Sequence, residues 1–192
     1  TVGIDSLAGP SEVLIIADRH ANSIHIAADL LAQAEHDPMA AAILITTDLQ
    51  LATAVQAAVE SQLQNHPRRT LTEKSIAHYG LIVVVDSLEI AAELSNRFAP
   101  EHLEIKTDDP WALVNRIRHA GAIFLGDFTP EAVGDYLAGP NHTLPTSGAA
   151  RYASALGVET FMKHSSLIQY SQTALSKVGS AIDALTQAEG LF

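Results

Sequence analysis

Cysteine is absent from the 192-residue sequence. Its absence excludes disulfides, thiolate metal sites and a cysteine nucleophile, so any metal must be held by nitrogen and oxygen. Basic charge is scarce: 11 Lys and Arg against 22 Asp and Glu give a formal net charge of -11. With no basic stripe, nucleic acid and anionic membrane surfaces would be repelled. Long hydrophobic runs are missing as well. The longest, such as Val13 to Ala17 and Ala40 to Ile45, are too short to cross a bilayer, and the first residues lack the layout of a signal peptide. A soluble, cytoplasmic protein is the expectation. No Gly-x-Gly-x-x-Gly follows a candidate strand and no Walker-type phosphate loop occurs, so the residues themselves display no nucleotide site.

What is present is an apolar fraction of 47%, enough to bury a core in one domain or slightly more. Short β-branched runs alternate with stretches of helical period, the pattern of crossover units feeding a parallel sheet. The expected class is α/β, a mainly parallel Rossmann-like sheet flanked by helices, with a loop-rich segment and a C-terminal helix. Strands are expected at Glu12 to Ala17, Ala41 to Thr46, Leu81 to Val85, His102 to Lys106 and Ala122 to Leu125. Helices are expected from Asn22 to about His36, from Asp48 to about Asn65, from Ser87 to near Phe98, and from Pro110.

After Thr129 a short helix to about Tyr136 gives way to Gly139-Pro140-Asn141-His142 and Pro145-Thr146-Ser147-Gly148, a long stretch of turn chemistry. A last helix, Ser171 to Ala188, carries Leu175, Val178, Ile182 and Leu185 at core spacing, with Gly190 as its stop signal. The expected organisation is an α/β domain over residues 1–150 and a C-terminal segment over 151–192. The opening Ser6-Leu7-Ala8-Gly9-Pro10-Ser11 runs directly into a strand, as though folded chain should precede it.

Three clusters could carry chemistry. Gln33 and His36 are three residues apart at the end of the first helix, so their side chains share a face and could grip one ion. Spacing alone favours a His36 that complements the helix C-terminal dipole before Pro38 ends the helix. Glu101 and His102, in Ala99-Pro100-Glu101-His102-Leu103-Glu104, set a carboxylate beside an imidazole, which suits acid/base work. Neighbours in a regular strand point to opposite faces, so the pair converges only where the backbone is irregular; otherwise it is an exposed turn and strand start. Asp135 and His142 flank the turn Gly139-Pro140, Asp135 serving either as a hard metal ligand or as a local hydrogen bonder at a helix end. Ser11 follows Gly9-Pro10 without the Gly-x-Ser-x-Gly elbow of a hydrolase nucleophile and suits hydrogen bonding better.

The wording and order of these stretches resemble histidinol dehydrogenase, the family that completes histidine biosynthesis. The resemblance rests on Ala8-Gly9-Pro10-Ser11-Glu12-Val13-Leu14, Leu31 to Pro38, Ala99 to Glu104, Gly134 to His142 with Leu144-Pro145-Thr146, and Gly148 to Arg151 with Gly157-Val158. It spans essentially the whole chain. It implies that Gln33, His36 and Asp135 are zinc ligands that also hold substrate, that Ser11 and His142 help hold it, and that Glu101 and His102 are the acid/base pair. Glu189-Gly190-Leu191 is similar to the start of the family pattern Glu-Gly-Leu-x-x-His. Glu189 would contact substrate, and the pattern's histidine, a further zinc ligand, would fall just past Phe192. That C-terminal pair would serve the neighbouring subunit of a homodimer. A second α/β domain that supplies most NAD contacts would precede this chain.

The implied reaction oxidises L-histidinol to L-histidine through L-histidinaldehyde with two NAD in succession. Zinc would fix the substrate's imidazole and amine, His102 would take the hydroxyl proton, and Glu101 would activate water for the second step. The chain alone would be inactive without the missing parts. The alternative is a non-catalytic module that binds zinc or a small amine.

Overall fold

The structure, a computed structural model, describes residues 8–191. Ser6, Leu7 and Phe192, on which the expectations about the two ends partly rest, lie outside the described residues.

Five strands, β1 (Glu12–Ala17), β2 (Ala41–Thr46), β3 (Gly80–Val84), β4 (His102–Lys106) and β5 (Ala122–Leu125), form one sheet in the order β3-β2-β1-β4-β5. Every pairing is parallel. Parallel neighbours require crossovers, and helices supply them: α1 (Ser23–Ala34), α2 (Leu49–Leu63), α3 (Arg69–Tyr79), α4 (Leu88–Phe98) and α5 (Pro110–Val114). The starts of all but α3 are set by side-chain caps. Asn22, Asp48, Ser87 and Asp109 accept from the backbone N–H of Ile24, Leu51, Ile90 and Ala112 respectively. The chain reverses after α4 through Ala99, which holds left-handed φ 58° and ψ 64°.

The pleat sorts the core into two layers. Val13, Ile15 and Ala17 of β1, with Ala42 and Leu44 of β2, face α1 and α2. Leu14, Ile16, Ile43, Ile45, Leu103 and Ile105 face the opposite way, with Ala91 and Ala92 of α4 and Leu113 of α5. On β4 the register pairs His102 with Val13, Glu104 with Ile15 and Lys106 with Ala17. All three polar residues therefore face the α1 layer, and all are buried.

The expected strands and helices are present, with small shifts. β3 begins at Gly80, opposite Ala42; α1 stops at Ala34 and α2 at Leu63. Helix α3 was not foreseen. It buries only Thr72 and Ser75, so it carries no apolar stripe to announce it. Beyond β5 lie α6 (Glu131–Tyr136), two short 3-10 turns at Ala149–Arg151 and Val158–Phe161, and α7 (Gln172–Ala188).

The chain divides into two units, Thr1–Thr160 and Phe161–Phe192. The second contains α7, capped by Ser171 at its start and by Glu189 at its end. Of the stripe expected to be core, α7 buries no residue among those described, and Leu175, Ile182 and Leu185 are exposed. Spacing predicts which residues share a face, not what covers that face.

Candidate active site

At the amino edge of β1 and β4 the first unit buries a cluster of polar side chains, Glu12, Gln33, Glu101, His102 and Glu131. Helix α1 runs back across the sheet from the carboxyl end of β1, so its last turn, carrying Gln33, returns to that edge, and His36 follows. Gln33 is fully buried, whereas His36 is exposed. His36 Nδ1 lies 3.3 Å from the Gln33 carbonyl oxygen, which leaves Nε2 free.

Glu101 precedes β4 and His102 opens it. The left-handed Ala99 and the Pro100 that follows supply the backbone irregularity that convergence demands. The Glu101 carboxylate accepts from the backbone N–H of Glu12 at 2.9 Å, and its Oε2 lies 3.5 Å from His102 Nδ1. His102 Nδ1 also stands 3.1 Å from the Glu12 carbonyl oxygen. A carbonyl only accepts, so Nδ1 carries the proton and the lone pair belongs to Nε2. Nε2 is buried with no hydrogen-bond partner, 3.9 Å from Asp135 Oδ1 and 3.9 Å from Glu131 Oε1. The Phe124 ring, 6.0 Å away between centroids, closes one side.

Glu131 and Asp135 sit one turn apart on α6. When the Gln33 amide is oriented to satisfy its surroundings, its nitrogen donates to both carboxylate oxygens of Glu131, at 2.6 Å and 3.0 Å. Asp135 and His142 line one cavity of about 160 Å³ with Phe124, Gly134 and Leu144. The loop Pro145-Thr146-Ser147-Gly148 closes onto the start of β1: Gly9 N–H donates to Thr146 Oγ1 at 2.7 Å and Ser147 N–H to Glu12 Oε1 at 3.1 Å.

Electrostatics follow from this burial. Burial pushes Glu101 up to about 7, with the Glu12 and Asp135 carboxylates adding to the rise and hydrogen bonds from the Glu12 N–H and Ser11 opposing it. Burial likewise lifts Glu131 to about 9, assisted by Asp135 and other carboxylates, and raises Glu12. His102 is lowered, chiefly by burial, which favours the neutral imidazole.

Six of the foreseen residues meet in this region: Ser11, Gln33, His36, Glu101, His102 and Asp135. His142 joins through the cavity it shares with Asp135, and Glu189 ends α7 in the second unit. Sequence reasoning missed Glu12, Asp29, Glu104, Lys106 and Glu131. The signal was present in two forms. Asp29 precedes Gln33, and Glu131 precedes Asp135, by one helical turn; Glu104 and Lys106 alternate with Leu103 and Ile105 in a strand too apolar in its surroundings to carry idle charge.

A family model described as histidinol dehydrogenase matches residues 1–192. The chain is 78% identical over 191 residues to histidinol dehydrogenase 2 of Trichormus variabilis, covering 100% of this chain and 44% of that protein. It is 74% identical over 191 residues to histidinol dehydrogenase of a Synechococcus species, again over 100% and 44%. The crystal structure of histidinol dehydrogenase from Elizabethkingia anophelis superposes with a TM-score of 0.95 at 40% identity, covering 100% of this chain and 44% of that one. The chain thus spans under half the length of the relatives it matches. Over the whole of its 192 residues it belongs to the histidinol dehydrogenase family.

Proposed function

We propose that this chain supplies the metal-holding, substrate-holding and proton-transfer groups for oxidation of L-histidinol to L-histidine through L-histidinaldehyde, with NAD as hydride acceptor. The observation that carries this reading is the buried, unpartnered Nε2 of His102 beside Asp135. A neutral imidazole whose lone pair has no protein partner is placed to take a proton from something that enters.

Zinc fits the donor set. Gln33, His36 and Asp135 offer amide oxygen, imidazole nitrogen and carboxylate oxygen. The buried carboxylates Glu101 and Glu131, held at about 7 and about 9, mark a place short of positive charge. Gln33, buried on the last turn of α1, completes the proposed set. When bound, zinc would grip the substrate's imidazole and amine and fix its carbinol carbon.

The protein's own groups would do the rest. His102 Nε2 accepts the hydroxyl proton, with the Glu12 carbonyl holding the ring in the correct tautomer. Glu101 takes a proton from water for attack on the aldehyde, a role suited to a carboxylate raised toward neutrality. Ser11 and His142 would contact substrate, as would Glu189. None of the described strands is followed by a dinucleotide fingerprint, so no residue here is assigned to NAD. A cytoplasmic homodimer completes the proposal, the exposed Leu175, Ile182 and Leu185 of α7 supporting its dimeric part alone.

The test is calorimetric titration of L-histidinol into the full-length protein, with zinc and after chelation, followed by addition of NAD. Metal-dependent heat and subsequent NAD reduction are expected. His36→Ala and Asp135→Ala should lower zinc content, and unchanged zinc in both would defeat the metal assignment. Binding with no NAD reduction would leave a non-catalytic amine-binding module.

A further inference from the structure

Behind the candidate site lies a charged group that the proposed chemistry does not use. Lys106, at the carboxyl end of β4, is wholly buried. Its Nζ lies 2.9 Å from Asp29 Oδ2 on α1 and 3.1 Å from Glu104 Oε2 on its own strand. Burial alone would push this ammonium down, but Glu104 and Asp29 outweigh it and hold the group above its ordinary value. Among the described residues, Lys106 is the one lysine or arginine that pairs with a carboxylate of this layer.

Each partner leads to a different part of the site. Asp29 is one turn before Gln33 on the same helix, so fixing Asp29 fixes the rotation and the axial position of α1, and with them Gln33. Glu104 uses its other oxygen, Oε1, to accept the backbone N–H of Glu131 at 3.2 Å. Glu131 in turn holds the Gln33 amide nitrogen at 2.6 Å and 3.0 Å, which turns the amide oxygen away from that carboxylate. Glu131 also fixes the start of α6, on which Asp135 follows one turn later.

The geometry points to Lys106 as a positioning residue: by tying Asp29 of α1 to Glu104 of β4, it sets α1, β4 and α6 at the spacing that aims Gln33 and Asp135 at one metal ion. This inference rests on reading Gln33, His36 and Asp135 as zinc ligands. A buried ion pair seldom adds net stability over an apolar replacement, yet removing one partner leaves a costly unpaired charge. Apolar residues could fill this space; they could not hold Glu104 Oε1 on the Glu131 N–H while fixing Asp29.

The test compares Lys106→Met with the triple variant Lys106→Met, Asp29→Asn, Glu104→Gln in the full-length protein, reading melting temperature and zinc affinity by competition with a chromogenic chelator. Lys106→Met should melt lower, and its zinc dissociation constant should rise about 10- to 100-fold, the range for residues that orient ligands. The triple variant leaves no unpaired buried charge, so it should regain most of the melting temperature while zinc binding stays weak. That split is what a merely structural role would not produce. Recovery of zinc affinity along with melting temperature in the triple variant overturns the inference. His36→Ala, measured alongside, separates the two readings: if it keeps wild-type zinc affinity, the ligand assignment itself fails; if it loses zinc while the triple variant keeps it, only the role of Lys106 fails.

Discussion

Glu12 and Glu101 each accept the other's backbone N–H: Glu12 N–H donates to Glu101 Oε2 at 2.9 Å, and Glu101 N–H to Glu12 Oε2 at 3.3 Å. The exchange ties the start of β1 to the approach to β4. It also brings two buried carboxylates together, which is part of why Glu101 is raised toward neutrality.

The first prediction concerns Glu101 as a base. Its working form is ionised and its value is about 7, so the aldehyde-to-acid step should slow as pH falls through that value. Glu101→Gln should remove this acid limb and slow the step by about 10²- to 10⁴-fold, the usual worth of a positioned base. Zinc content should not change, because the amide still accepts the Glu12 N–H and Glu101 is not a proposed ligand. The measurement is the pH profile of NAD reduction with L-histidinaldehyde as substrate. A profile whose acid limb survives in the variant assigns the base elsewhere.

Stability of the metal-free protein should run the opposite way from activity. Glu101 and Glu131 are raised in the folded state from 4.5 to about 7 and about 9, both mainly by burial. Between those limits the folded protein holds protons that the unfolded chain has released, so stability falls as pH rises. Melting temperature should therefore decline from about pH 5 to about pH 9, and Glu101→Gln should flatten the lower part of that decline. Calorimetric melts across this range check it, and a rising curve would contradict the burial of these carboxylates.

Much of this arrangement was legible beforehand because it rests on local chemistry. Strands announced themselves through β-branched runs, and Asn22, Asp48 and Ser87 marked helix starts as caps do. The pairs at helical spacing, Gln33 with His36, were visible for the same reason. The depth of the site was not. Glu12 and Glu104 read only as members of their motifs and strands, since their importance comes from Glu101 and from α6, which are separated from them by long stretches of chain. Helix α3 escaped because its buried side chains are Thr72 and Ser75, the latter bonding the Ala40 carbonyl at 2.8 Å rather than packing apolar surface.

Ala99 offers a prediction about backbone geometry. It is buried, with φ 58°, and its N–H closes α4 onto the Ser95 carbonyl at 2.7 Å. A β-branched side chain resists that conformation, so Ala99→Val should destabilise by about 1–3 kcal/mol. Ala99→Gly should lie within about 1 kcal/mol of wild type, because easier access to positive φ is offset by a more flexible unfolded chain. Urea unfolding of both variants tests the pair of expectations, and a Val variant as stable as the Gly variant would contradict the left-handed assignment.

Gly134 tests how closely the metal residues depend on α6. A Cβ placed there would meet the Phe124 ring at 2.5 Å from Cε1 and 2.7 Å from Cζ. Phe124 is buried and stands beside His102, so its ring has little room to yield. The less constrained partner is α6, whose six residues make a light element. Gly134→Ala should therefore shift α6 outward and carry the adjacent Asp135 with it. Propensity alone would favour Ala in a helix by up to about 1 kcal/mol, so a stabilised variant with unchanged zinc affinity would mean that Phe124 moves instead. The expected outcome is a zinc dissociation constant raised about 10-fold, by analogy with loss of a ligand-orienting contact, alongside far-UV circular dichroism like that of wild type. Weak zinc binding in a folded variant would tie metal affinity to a hydrogen atom on a residue that never touches the metal.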